Sequence, residues 1–164
     1  MHSWGGAEAG RALSIASRLG IQYRQGSSQT ESPMPTLKPR VFISFDIDND
    51  LDAKTMLAGQ AKHDDSPFDF KDASVKDRLP GDWKEKVKRR MDNIDVVVVL
   101  CGEKTHTARG VAAELEIARE KKKPYFLLAA YSDNTCTKPT TALASDKVYR
   151  WSWDNLKALI HGGR

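Results

Sequence analysis

From Arg40 onward the chain alternates short β-branched or aromatic runs with stretches of helical periodicity. Arg40-Val41-Phe42-Ile43-Ser44-Phe45 predicts a first strand that stops at an acidic loop. Leu51 to His63 predicts a helix carrying Met56, Leu57 and Ala61, followed by a short second strand at Pro67-Phe68-Asp69-Phe70 and a polar segment from Lys71 to Asp82. Trp83 to Met91 reads as a helix that is basic on its outer side. The unbroken run inside Asp95 to Gly102 is what a strand buried on both faces looks like, and it predicts the central strand. Arg109 to Lys122 then reads as a helix, Pro124 to Ala130 as a strand, Lys147 to Trp151 as a short last strand and Trp153 to Ile160 as a closing helix. This order predicts an α/β fold in three layers, with a central parallel sheet of about five strands and helices on both faces. Ligands of such sheets gather beyond the carboxyl ends of the strands.

The first forty residues lack this order. Gly5-Gly6, Gly26-Ser27-Ser28, Ser32-Pro33, Pro35 and Pro39 interrupt any period except a short helical stretch at Ala7 to Leu19. Residues 1–39 are therefore expected to be a disordered extension and 40–164 the domain. Arg11 and Arg18 break the only candidate signal-peptide core, and Met34, just before the first strand, is a candidate native start. A chain of 164 residues with 40% hydrophobic content supports one domain. The formal net charge of +4 is too small a surplus to predict a nucleic-acid partner. No run of about 18 apolar residues is present to span a membrane. Two cysteines are too few for a disulfide framework or a structural zinc site, so a reducing, cytoplasmic setting is expected.

Candidate chemistry is sought just after each strand. Ser44, Phe45, Asp46, Asp48, Asn49 and Asp50 leave the first strand. Asp50 and Asp52 have the identity and position of helix caps, whereas Asp46 suits a site as well as a turn. A receiver-type phosphorylation pocket would require an acceptor aspartate where this chain has Cys101-Gly102. On the helix from Arg109, Val111, Leu115 and Ala118 form the core stripe, Glu116 and Glu120 face away, and Glu114 lies on the flank. A carboxylate at the edge of a core either shifts its pKa or takes a cationic partner, and both readings stand. Asp72 and Ser74 follow the second strand, and Thr105, His106 and Thr107 follow the central one. The long loop Tyr131 to Asp146 suits a lid or binding element. Cys136 has no signature of an activated nucleophile. P-loop, GxGxxG, HExxH and paired CxxC motifs are missing.

Taken together, these residues resemble the TIR-like domains related to the Thoeris defence protein ThsB, a branch of the Toll/interleukin-1 receptor homology superfamily. The resemblance spans about residues 40 to 161. It is carried by Arg40 to Asp46, Pro67-Phe68 with Asp72-Ala73-Ser74, Trp83-Lys84, Asp95 to Glu103 with Thr105, and Gly110-Val111-Ala112-Ala113-Glu114-Leu115. The chain departs from the family pattern at Gly110, where an aromatic, commonly Trp, is usual, and at Ala108, where Ser is usual. Both positions bear on substrate stacking and turnover.

The resemblance implies a flavodoxin-like TIR fold and an enzyme that cleaves the N-glycosidic bond of NAD+, giving nicotinamide and ADP-ribose or a cyclised ADP-ribose signal, in bacterial anti-phage defence. It implies that Glu114 is catalytic, and that Ser44, Phe45, Asp46, Asp72, Ser74 and Thr105 line the substrate pocket. NAD+ would be substrate, with no metal or further cofactor, and self-association through TIR-like surfaces is expected. A non-catalytic TIR-like interaction module is the alternative, and a nucleoside 2-deoxyribosyltransferase-like enzyme the third reading.

Overall fold

A computed structural model describes residues 37–70, 81–132 and 135–164. The expected extension, the Ala7 to Leu19 helix, Met34, Asp72 and Ser74 lie outside these residues, apart from 37–39 of the extension. Residues 37–164 form one compact unit.

Five strands, β1 (Arg40–Ser44), β2 (Asp69–Phe70), β3 (Val96–Cys101), β4 (Tyr125–Ala129) and β5 (Val148–Tyr149), make one sheet in the order β2-β1-β3-β4-β5. Every pairing is parallel. This is the flavodoxin-like order, whose crevice opens at the switch between β1 and β3. The helices among the described residues are α1 (Leu51–Gln60), α2 (Trp83–Asp92), α3 (Arg109–Glu120) and α4 (Trp153–Ile160), and a 3-10 turn covers Thr105–Thr107.

The two-residue period of the strands sorts the core into two halves. Val41 and Ile43 of β1, Val96, Val98 and Leu100 of β3, and Phe126 and Leu128 of β4 pack on α1 and α4. Phe42, Val97, Val99, Cys101 and Leu127 pack on α2 and α3. All six residues of β3 are buried, as its apolar run predicts. Each fully buried Leu, Val or Phe contributes about 1.5–3 kcal/mol relative to an exposed one. At the amino end of the sheet, Asp95 accepts hydrogen bonds from the Arg40 backbone N–H (2.8 Å), Nε (3.0 Å) and Nη2 (3.1 Å), which clamps the β1–β3 register.

Several elements stop one to three residues short of their patterns. The second strand starts at Asp69 instead of Pro67: proline has no ladder donor, and Ser66 Oγ accepts the Phe68 N–H (3.3 Å) and donates to the Phe68 carbonyl (2.8 Å). α1 ends at Gln60, where Lys62 and His63 turn back onto the Gly59 and Gln60 carbonyls. β5 is limited to two residues.

Candidate functional site

Alternation along β1 decides which way its last side chains point. Phe42 and Ser44 face α2 and α3, whereas Ile43 and Phe45 face α1. Ser44 is fully buried, and its hydroxyl donates to Glu114 Oε2 at 2.5 Å, joining residues 70 positions apart. Glu114 occupies the flank of α3 that its phase predicts: Val111, Leu115 and Ala118 are buried, Glu116 and Glu120 are exposed, and Glu114 is half-buried. Desolvation pushes the Glu114 carboxyl up to about 7, against the opposing pull of the Ser44 hydrogen bond and the Arg90 charge. The result is a carboxyl that can be ionised or protonated near neutrality, held by a hydroxyl that leaves Oε1 for other contacts.

Phe45 is partly buried, and the Lys54 ammonium lies 5.9 Å from its ring centre and 5.3 Å from that of Phe70. Asp46 is buried and turns its carboxylate onto its own loop, with Oδ1 accepting the Asp48 N–H (3.1 Å) and Oδ2 accepting from Asn49 Nδ2 (2.7 Å). Its carbonyl also accepts the Asp50 N–H (2.7 Å), so Asp46 shapes the entry to α1. Thr105 has no exposed surface; its Oγ1 accepts the Gly102 N–H (2.8 Å) and its hydroxyl hydrogen-bonds Asp50.

Asp50 differs from its capping expectation. It stands at the N-cap of α1, but its side chain makes no cap bond. It turns inward against the backbone of Gly102, and a Cβ at residue 102 would lie only 2.1 Å from Oδ1. Oδ2 is buried and finds no hydrogen-bond partner among the described residues. Burial and the neighbouring Asp46 raise the Asp50 pKa despite the Thr105 hydrogen bond. Asp52 keeps its expected place in the first turn of the helix. A cavity of about 290 Å3 lined by Asn49, Asp50, Glu103, Lys104 and Tyr131 lies beside these groups.

The long loop is tied down. Thr137 N–H donates to the Gly102 carbonyl (2.9 Å), Thr141 Oγ1 donates to the Ala112 carbonyl (2.8 Å), and Arg119 donates to the Thr141 carbonyl (2.6 Å). His106 Nδ1 pairs with Thr137 Oγ1 (3.1 Å), while Cys136 Sγ donates to the Tyr131 carbonyl (3.7 Å). The Cys101 thiol is pushed up to about 12 by burial, which keeps it inert. Among the described residues no group of three or more His, Cys, Asp or Glu could hold a metal ion, and no helix is long and apolar enough to cross a membrane.

The structure thus joins Ser44 to Glu114, sets Phe45 on the opposite face of the sheet, and uses Asp46 and Thr105 to brace the loops between them. Sequence reasoning missed the Asp50–Gly102 contact, the Lys54–aromatic stack and the field of Arg90 at Glu114. A glycine directly after a buried strand is the one local sign of a close approach. At Gly110 a Cβ would meet nothing within 4 Å, and Ala108 stands at the N-cap of α3 without a side-chain acceptor.

The family model for the TIR-like domain of the Thoeris protein ThsB matches residues 42–135, a span that runs from within β1 to beyond β4 and includes α3 with Glu114. No curated protein matches the chain at a significant level.

Proposed function

The chain belongs to the TIR-like domain family of the Thoeris protein ThsB, and from that premise we propose that it cleaves NAD+ at the nicotinamide–ribose bond with Glu114 as the catalytic carboxylate. One observation carries the reading: Glu114 sits at the carboxyl end of the sheet on the Ser44 hydroxyl, with its pKa raised to about 7. In the reaction the C–N glycosidic bond breaks and its electron pair leaves with nicotinamide, a neutral leaving group. The ribose left behind is oxocarbenium-like, and ionised Glu114 stabilises its charge and accepts hydrogen bonds from its hydroxyls. Water adds at the anomeric carbon and loses a proton to give ADP-ribose, or a hydroxyl of the same molecule adds to give a cyclic product. Ser44 is the positioning residue that fixes the carboxylate rotamer. Phe45, Asp46 and Thr105 act by shaping the β1 exit. The setting is cytoplasmic anti-phage signalling, with self-association completing the pocket.

The test is chromatography of products after concentrated protein is incubated with NAD+, beside Glu114→Gln. Nicotinamide release that disappears in the variant supports the reading; release retained by the variant removes Glu114 from the mechanism. One observation favours the alternative, a non-catalytic interaction module: Gly110 offers no ring on the Glu114 side of α3 although the space for a side chain is open. No release at any protein concentration, with or without infected-cell extract, decides for that module.

A further inference from the structure

A second groove, of about 500 Å3, opens where the start of α2, the 3-10 turn and the first turns of α3 meet the loop at Thr140. The helical period separates it from Glu114. Gly110 and Glu114 share one side of α3, whereas Arg109, Ala112 and Glu116, which line the groove, are turned away from it.

The charge of this lining is unbalanced. Lys84 and Arg109 are exposed cations facing the single carboxylate Glu116. The Lys84 ammonium lies 5.9 Å from the ring centre of its neighbour Trp83, and neither cation has an ion pair among the described residues. With Ala108 at the N-cap, the first amides of α3 also lack a side-chain acceptor.

We propose that this groove binds the phosphoryl oxygens of a diphosphate-bearing ligand. Arg109 supplies paired N–H donors, Lys84 a second positive charge, and the opening amides of α3 further donors. The same oxygens are presented by the diphosphate of a dinucleotide reaching across α3 and by a separate nucleotide. The inference stands on the groove alone and holds whether or not Glu114 cleaves NAD+.

The test is calorimetric titration of inorganic pyrophosphate, and of ADP, into the full chain at low and at physiological salt. Saturable binding that weakens with salt, and that falls about tenfold in Lys84→Ala and in Arg109→Ala, is expected. Both side chains are exposed, so each variant keeps the fold. The titration is then repeated on Glu114→Gln with NAD+ present. Competition assigns the groove to the dinucleotide's own diphosphate, and undiminished pyrophosphate binding assigns it to a second ligand. No saturable binding of either probe, or binding that survives both charge removals, overturns the proposal.

Discussion

Replacing Glu114 by Gln separates the stability cost of this carboxyl from its chemistry. The native protein holds the group with a pKa of about 7, against an ordinary 4.5 that the unfolded chain restores. Between those values the folded state binds the extra proton, so stability falls as pH rises, and it is fully reduced only above about 7. At about 1.36 kcal/mol per pH unit the whole interval is worth about 3 kcal/mol, of which about 2.5 kcal/mol falls between pH 5 and 8. Gln keeps the shape and an oxygen that accepts from Ser44, but it carries no charge to desolvate. Urea denaturation of both proteins at half-unit steps from pH 5 to 8 should show the variant gaining about 2.5 kcal/mol relative to the wild type across that range. Over the same window nicotinamide release by the wild type should rise with pH to a plateau above about 7, because the ionised form stabilises the ribose cation. A stability difference that stays flat from pH 5 to 8 would refute the argument, since it would mean that the carboxyl is hydrated and titrates as in water.

Ser44→Ala removes the hydroxyl that favours ionised Glu114, so the half-maximal pH of nicotinamide release should move about one pH unit in the alkaline direction; an unmoved pH profile would deny Ser44 its positioning role. Gly102→Ala should cost about 1–3 kcal/mol in denaturation, because its Cβ would overlap Asp50 Oδ1, and Asp50→Ala in the same chain should recover most of the loss. Simple additivity in that cycle would sever the contact. Gly110→Ala should raise stability by about 0.5–1 kcal/mol, since open space surrounds the new methyl and α3 loses a glycine; a lower melting temperature would show the space to be occupied.

What the sequence makes legible is what period alone determines. The apolar run of β3 announces a strand covered on both faces, and the phase of α3 sets Glu114 at the rim of the core before any tertiary contact is known. Asp50 was not legible in this way. Its identity and place suit a cap, but its direction is chosen by Gly102, 52 residues on, and no local preference encodes that approach. The loop after β4 reads as a lid by its length, yet Thr137 and Thr141 fasten it to the β3 exit and to α3 through backbone carbonyls that any sequence would offer. The partner of Glu114 escaped for a related reason: Ser44 and Glu114 meet only when β1 and α3 are both docked on the sheet.

The position of β1 bears on synthesis at the ribosome. It is an interior strand of the sheet and the earliest in the chain of the five, and its main partner β3 begins 55 residues after Val41, which pairs with Val96. The earlier partner, β2, offers only a two-residue ladder. At about 5–20 residues per second, Val41, Phe42 and Ile43 therefore leave the exit tunnel roughly 3–11 s before the strand that covers them. During that interval the nascent chain presents an apolar edge that chaperones or neighbouring nascent chains can capture. Soluble yield should accordingly respond to codon choice and growth temperature between β1 and β3 more than to the same changes after β4.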